Sequence, residues 1–328
     1  MKVVAYAARP DEYAAFERYS EEFGFAITLI GDRLSPESVK EAKGHDAVTF
    51  LGNCQVDREV LHTLAEYKIQ YIASRSAGFN NVDLVAASEL GIQVSNAQYS
   101  PNSVGEFAIL SMMNLLRRMP VSYKKSQIND FTLRGLQGRE LRNQVVGIIG
   151  TGKIGLTVAQ GLQGFGCKVI GYDPYPSPQL DGLLNYVELD ELYAQADIIT
   201  LHVPLTGENQ GMIGAQSIAK MKNEVLIVNS ARGELVDTVA LIAGLRSGKV
   251  AGAALDVLEN EVGTLHMDCS LEPLSHEPLA LLKNMPNVQI TGHSAFYTRQ
   301  SVSDMVEAGL GNLHAFFTTG TAPNLLSA

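Results

Sequence analysis

Cysteine is scarce in this chain. There are three in 328 residues, Cys54, Cys167 and Cys269, widely spaced and with no CxxC pair. That argues against a disulfide framework and a zinc site, and it predicts reduced thiols in a cytoplasmic protein. Long apolar runs are missing too. No stretch reaches the roughly 18 residues that a membrane helix needs, so no membrane partner is expected. The opening Met1-Lys2-Val3-Val4-Ala5-Tyr6 reads as a first strand rather than a signal peptide. Positive charge is in deficit, with 25 Lys and Arg against 35 Asp and Glu and a net charge of −10. Such a chain is ill suited to nucleic acid or an anionic membrane surface, although local cations can still bind a small anion. Repeats and low-complexity segments are absent. What remains is an ordinary globular balance, 46% hydrophobic and 18% charged, in a length that suggests two domains.

Short apolar strands alternate with amphipathic helices through residues 1–100. Strands are predicted at Lys2–Tyr6, Ala26–Ile30, Ala47–Phe50, Tyr71–Ser74 and Gln93–Val94, with helical patterns such as Pro10–Phe23 and Asp57–Tyr67 between them. This alternation implies a parallel sheet with helices on both faces. The pattern breaks at Ser100-Pro101-Asn102-Ser103, and an apolar helix follows from Val104 to Leu116. A second alternating run gives strands at Val145–Ile149, Lys168–Gly171, Ile198–Leu201, Val225–Val228, Gly252–Leu255 and Val288–Ile290. The final helical pattern, Thr298 to Phe317, comes after that sheet is complete and is expected to pack back on the first domain. The expected architecture is α/β, with two Rossmann-like, doubly wound parallel-sheet domains and a cleft between them. Residues 1–100 plus 299–328 form a discontinuous substrate domain in this reading, and residues 101–298 form a cofactor domain.

The most informative stretch is Val145-Val146-Gly147-Ile148-Ile149-Gly150-Thr151-Gly152-Lys153-Ile154-Gly155. An apolar run rich in β-branched residues ends in Gly-x-Gly-x-x-Gly and passes into a helical pattern. Gly150 permits the turn, Gly152 lets the backbone approach a pyrophosphate, and Gly155 lets the helix pack on the strand. The helix N-terminus, at Lys153 and Ile154, offers N–H groups and partial positive charge to phosphates. A second strand leads to Asp173, 18 residues after Gly155, where a carboxylate binds ribose hydroxyls. Pro174-Tyr175-Pro176-Ser177 carries no cation to pair a 2′-phosphate, so NAD is favoured over NADP.

Three further polar residues follow strands in apolar or glycine-rich surroundings. Arg232 lies in Asn229-Ser230-Ala231-Arg232-Gly233, where a guanidinium can fork onto a carboxylate and polarise a carbonyl. Glu261 lies in Leu258-Glu259-Asn260-Glu261, and His293 in Thr291-Gly292-His293-Ser294. An imidazole can lend or take a proton near neutral pH, as carbonyl reduction demands. Taken singly, each could equally be an ordinary loop residue. The other six histidines, His45, His62, His202, His266, His276 and His314, lack such a setting, and His202 with Val203-Pro204 looks like a cofactor-lining turn.

Together these stretches resemble the D-isomer-specific 2-hydroxyacid dehydrogenase family along essentially the whole chain. Matching motifs are Arg75-Ser76-Ala77-Gly78-Phe79-Asn80-Asn81-Val82-Asp83, Tyr99-Ser100-Pro101-Asn102-Ser103-Val104, the glycine fingerprint, His202-Val203-Pro204-Leu205-Thr206, Asn229–Gly233 and Ala254-Leu255-Asp256-Val257. The contexts Glu261-Val262-Gly263 and Ala295-Phe296-Tyr297-Thr298 are most similar to the D-lactate, D-2-hydroxyisocaproate and D-phenyllactate branch. The resemblance implies an enzyme that reduces a 2-oxo acid, pyruvate or a larger apolar one, to the (R)-2-hydroxy acid with NADH. In that implied scheme Arg232 binds the substrate carboxylate and carbonyl, His293 gives the proton, and Glu261 holds the imidazole. Backbone at Ala77 and Gly78 helps bind the carboxylate, and Tyr99 and Phe296, with Leu51, border the substrate side chain. Asp256 orients the nicotinamide amide, while Val203 and Pro204 line the adenine side. The helix 104–116 is implied to lie in the contact of a homodimer. Two positions depart from the family pattern: Gly292 stands where proline usually precedes the histidine, and Asn209 stands where threonine is common. Two other functions remain open, an NAD(H)-sensing corepressor-like protein on the same fold and a relative acting on glyoxylate, 2-oxoglutarate or formate.

Overall fold

The computed structural model describes residues 1–271 and 274–327. The chain opens with β1 (Lys2–Ala5), α1 (Tyr13–Phe23), β2 (Ala26–Leu29), β3 (Ala47–Phe50), α2 (Arg58–Glu66), β4 (Tyr71–Ser74), α3 (Leu84–Glu89) and β5 (Gln93–Ser95). It continues through α4 (Asn102–Leu116), α5 (Met119–Gln127), β6 (Val145–Ile149), α6 (Lys153–Gln163), β7 (Lys168–Tyr172), β8 (Asn185–Tyr186), α7 (Leu189–Gln195) and β9 (Ile198–Leu201). Then come α8 (Ala215–Lys220), β10 (Val225–Asn229), α9 (Thr238–Ser247), β11 (Val250–Leu255), α10 (Glu277–Asn284), β12 (Val288–Ile290), α11 (Arg299–Thr319) and β13 (Leu325–Leu326). Two units result, Met1–Ser100 with Tyr297–Ala328, and Pro101–Phe296.

The first unit holds a sheet in the order β13-β5-β4-β3-β1-β2. All pairings are parallel except β13 on β5. The chain leaves β1 for β2 on one side and returns to β3 on the other, which is the doubly wound pattern. Its inner strands are buried on both faces, as in Ala47–Phe50, and so read as continuous apolar runs. Residues of α1 (Phe16, Tyr19) and α11 (Val306, Leu310, Leu313, Phe316) cover one face over Val3, Ala5, Ala47 and Ala73. Tyr71 stacks on Phe316 with ring centroids 5.1 Å apart. Beneath them Arg75 is fully buried, with Nε 3.0 Å from Glu12 Oε1 and Nη2 donating to the Tyr6 carbonyl at 3.0 Å. The second domain boundary falls after Phe296 rather than after residue 298. Tyr297 lies under the Arg9 guanidinium, and the Thr298 hydroxyl caps α11 through the Ser301 N–H, so both residues are held by the first unit.

The second unit is a seven-stranded, all-parallel sheet in the order β12-β11-β10-β9-β6-β7-β8. The order reverses between β6 and β9, and α/β sheets bind ligands beyond the carboxyl ends of their strands at that point. One core lies over Ile199, Leu201, Ile227, Ala253 and Leu255, the other over Val146, Ile148, Leu226 and Val228. Part of the apolar surface of the helix expected in a dimer contact is used inside its own unit. Ala108, Met112, Leu115 and Leu116 of α4 pack with Val158 and Leu162 of α6 against the second core. Leu110 stays 53% exposed. Among the described residues, no helix is long and apolar enough to cross a membrane.

Candidate active site

The loops at the carboxyl edge of the second sheet carry the cofactor residues. At the end of β6 the chain turns at Gly150, whose φ of +92° lies in the left-handed region. A Cβ there would sit 2.5 Å from the carbonyl oxygen of His202. Gly152 caps α6, whose first turn is Lys153-Ile154-Gly155, and a Cβ on Gly155 would lie 2.1 Å from the Gly150 oxygen. At Gly152 the opposite holds, since a Cβ would meet nothing within 4 Å. The backbone therefore faces open space where the first N–H groups of α6 lack helical partners.

Asp173 follows β7 directly. Its Oδ2 accepts the N–H of Thr151 at 2.7 Å and the Thr151 hydroxyl at 3.1 Å, and its Oδ1 accepts the Tyr175 N–H at 2.9 Å. The carboxylate thus braces the glycine turn and keeps lone pairs for further donors. Val203 and Pro204 follow β9, with Val203 Cγ1 beside Gly150. Asn209 holds this turn by accepting the Thr206 N–H and donating to the Pro204 carbonyl, both at 2.8 Å. His202 bonds Thr200 Oγ1 through Nε2 at 2.9 Å, and burial pulls its pKa down to about 4, so the imidazole is neutral. Its Nδ1 and the hydroxyl oxygen of Ser230 are buried with no partner among the described residues. Open glycine backbone, a placed carboxylate and unmatched polar atoms fit a bound dinucleotide.

Arg232, Glu261 and His293 converge from three neighbouring loops of the same edge. The buried Asn229 side chain donates to the Arg232 carbonyl at 2.8 Å and accepts the Ala231 N–H at 3.0 Å, which shapes the first loop. Gly233 lets that loop press on the next one: a Cβ there would lie 2.0 Å from the Leu258 carbonyl carbon. The Leu258 N–H in turn donates to Glu261 Oε2 at 3.0 Å, and Glu261 Oε1 lies 2.6 Å from His293 Nδ1. Burial pushes the Glu261 carboxyl up, but the His293 bond and charge, the Leu258 N–H and the Arg232 charge outweigh it. The carboxyl titrates below its ordinary value of 4.5. A carboxylate on Nδ1 leaves Nε2 as the free edge of the His293 ring. Phe296 meets that ring edge-on, 6.4 Å between centroids at 83°.

Asp256 is 2% exposed and committed mainly to the histidine loop. Its carboxylate accepts the Thr291 hydroxyl at 2.5 Å and the N–H groups of Ser294 and Ala295 at 2.9 and 2.8 Å. Its carbonyl accepts the His293 N–H at 2.8 Å. The remaining substrate candidates are in the first unit. Ala77 and Gly78 follow β4, held by Asn96 Nδ2 on the Ala77 carbonyl and the Ser76 hydroxyl on the Gly78 carbonyl. Leu51 follows β3, and Tyr99 stands near the end of the unit's first segment. Two histidines that showed no local signal also serve the site's loop. His266 Nε2 lies 3.0 Å from the His293 carbonyl, and His276 bonds the Glu259 carbonyl at 2.8 Å while capping α10. Their partners are backbone atoms remote in sequence, so nothing in the residues around them announces the role.

The family model described as D-isomer specific 2-hydroxyacid dehydrogenase, NAD binding domain, matches residues 109–295. An aromatic 2-oxoacid reductase of Clostridium sporogenes is 49% identical over 326 residues, covering 99% of this chain and 98% of that protein. The solved structure of a D-2-hydroxyisocaproate dehydrogenase is 34% identical with a TM-score of 0.92, covering 100% of both chains. The NAD-complexed D-isomer specific 2-hydroxyacid dehydrogenase of Lactobacillus delbrueckii ssp. bulgaricus is 33% identical with a TM-score of 0.86, again over 100% of both chains. The dinucleotide that the glycine edge fits is therefore NAD, and the chain belongs to the D-isomer-specific 2-hydroxyacid dehydrogenase family, NAD-dependent enzymes that reduce a 2-oxo acid to its D-2-hydroxy acid.

Proposed function

We propose that this enzyme reduces apolar 2-oxo acids, aromatic ones foremost, and that Arg232, Glu261 and His293 carry the reaction. The observation behind this reading is the Glu261–His293 pair at 2.6 Å, with the Arg232 charge acting on the same carboxylate. Arg232 holds the substrate carboxylate by a two-pronged bond and polarises the neighbouring carbonyl oxygen. His293 gives that oxygen a proton from Nε2, and Glu261 fixes the tautomer and stabilises the charged ring. Bound NADH supplies the hydride. Lys153, Ile154 and the glycines hold its pyrophosphate, Asp173 its ribose, and Val203 and Pro204 its adenine side. A lone pair left on Asp256 orients the carboxamide. In the first unit, the N–H groups of Ala77 and Gly78 donate to nothing among the described residues, which supports their use on the substrate carboxylate.

Phe296 beside His293 supports an apolar side chain on the substrate, as do Tyr99 and Leu51 by family likeness. The 49% identical relative named for aromatic 2-oxo acids favours a ring there. An initial-rate panel with NADH tests this across pyruvate, 2-oxobutyrate, 4-methyl-2-oxopentanoate, phenylpyruvate and 2-oxoglutarate, with chiral analysis of products. Phenylpyruvate is expected to lead, 2-oxoglutarate to trail and every product to be (R). A preference for the diacid or an (S) product refutes the pocket assignment, and no turnover with any acid favours an NAD(H)-sensing protein.

The same reading makes the enzyme a cytoplasmic homodimer. Ile128, Phe131 and Leu133 are 75%, 76% and 84% exposed, and Leu110 and Tyr123 are exposed too, which leaves five large apolar side chains at the surface of residues 110–133 of the second unit. A second copy is the natural cover for such a surface. A monomeric mass by light scattering at micromolar concentration refutes it.

A further inference from the structure

Glu261 follows β11 in a stretch that two histidine bonds tie in place. His276 accepts the Leu279 N–H on Nδ1 at 3.1 Å, so its Nε2 bears the proton that goes to the Glu259 carbonyl. His266 makes the second bond, Nε2 to the carbonyl oxygen of His293 at 3.0 Å. A carbonyl only accepts, so Nε2 of His266 must also carry a proton. The rings of His266 and His293 lie with centroids 5.6 Å apart and planes at 34°.

His293 needs such support. Its φ of +54° lies in the left-handed region, which side chains other than glycine adopt at a cost. Gly292 before it has no side chain to brace the chain, and a Cβ built there would touch nothing within 4 Å. Three bonds hold the residue instead. The Asp256 carbonyl takes its N–H at 2.8 Å, Glu261 takes its Nδ1 at 2.6 Å, and His266 takes its carbonyl at 3.0 Å. The first fixes the entering peptide and the second the tilt of the ring. The third fixes the leaving peptide, and with it the direction of the Cα–Cβ bond that carries the ring.

We propose that His266 is a positioning residue for the reduction. By clamping the His293 carbonyl and packing on its imidazole, it keeps Nε2 of His293 on line with the carbonyl oxygen that receives the proton. The inference rests on His293 being the proton donor. Its contribution falls on the proton-transfer step, because its bond goes to the His293 carbonyl and its ring lies against the His293 ring. Displacing a reacting group by a fraction of an ångström slows its step far more than it weakens binding.

The test compares His266→Ala, His266→Asn, which can still donate to the carbonyl, and His266→Phe, which keeps a ring but cannot. His266→Ala is expected to lower kcat for phenylpyruvate reduction about tenfold. KM for the oxo acid and Kd for NADH should stay within about twofold, and the solvent deuterium isotope effect on kcat should rise as proton transfer becomes limiting. His266→Asn should recover most of the lost rate and His266→Phe should not. In a His293→Ala background, His266→Ala should cost nothing more. Unchanged kcat and isotope effect in both His266→Ala and His266→Phe overturn the proposal, and so does an equal loss when His293 is already gone. If His293→Ala is crippled while the His266 variants are normal, only the positioning role fails. If His293→Ala turns over normally, the proton-donor reading fails and takes this one with it.

Discussion

Nδ1 of His293 lies 2.6 Å from one oxygen of Glu261, and the other oxygen of that carboxylate accepts the N–H of Leu258 at 3.0 Å. Glu261 is thereby held ionised, titrating below 4.5. The sign follows directly. A depressed carboxyl contributes its stabilisation fully above the unfolded value and loses it as pH falls through the folded one. The acid limb of reduction should therefore lie below pH 4.5 as far as Glu261 sets it. In Glu261→Gln that acid limb should vanish from the kcat/KM profile and kcat should fall, because the amide neither titrates nor brings a charge to the imidazole. A pH–rate profile unchanged by the substitution removes Glu261 from the tuning of His293.

Asp173 holds the Thr151 turn with the same carboxylate that is proposed to take the ribose. NADH should exceed NADPH by at least about tenfold in kcat/KM. Asp173→Ala should narrow that ratio mainly by weakening NADH, and should also cost about 1.5–3 kcal/mol of stability for the lost charged bonds. Coenzyme kinetics and urea unfolding of the same variant check both parts. Equal efficiency with both coenzymes in the parent enzyme refutes the first.

Phe296 edges onto the His293 ring, and its removal should open room beside the reacting carbonyl. Phe296→Ala should change the kcat/KM ratio of 4-methyl-2-oxopentanoate to pyruvate by roughly 1–3 kcal/mol in favour of the larger acid. An unaltered ratio across the two substrates places Phe296 outside the pocket.

Arg75 and Glu12 form an ion pair at 0% exposure for both side chains. The guanidinium also lies 4.9 Å over the Phe16 ring and bonds the Tyr6 carbonyl. Arg75→Ala strands a buried carboxylate and should cost about 3–5 kcal/mol in unfolding free energy. Arg75→Met combined with Glu12→Gln should cost clearly less, since the lone charge is gone. Denaturant midpoints of the two variants decide it, and equal losses would mean that packing rather than charge dominates.

Most strands were legible because parallel strands buried on both faces are continuous apolar runs, as at Val145–Ile149 and Val225–Asn229. β8 and β13 escaped because they have two residues each and borrow their partners from the sheet edge. α5 escaped because none of its residues is buried, which leaves no periodic stripe to see. In the helix at 102–116, Ala108, Met112, Leu115 and Leu116 serve its own unit's core while Leu110 stays exposed, a distinction that periodicity alone does not make. In the site, Arg232, Glu261 and His293 stood out singly only as polar residues after strands, and the family resemblance is what joined them into a triad. His266 did not stand out, since its partner is a backbone carbonyl 27 residues away.

The first unit's sheet and core are finished by residues made after the whole second unit. α11 supplies Val306, Leu310, Leu313 and Phe316 to that core, and β13 pairs Leu325 with Ser95 and Leu326 with Val94. On the ribosome, the opening hundred residues therefore emerge with the α11 face of their sheet bare and the edge of β5 unpaired, and stay so while the whole second unit is synthesised. The second unit has its own two cores and can fold during that wait. Chaperone contact during synthesis should accordingly concentrate on the first unit until the last turn of α11 clears the exit tunnel.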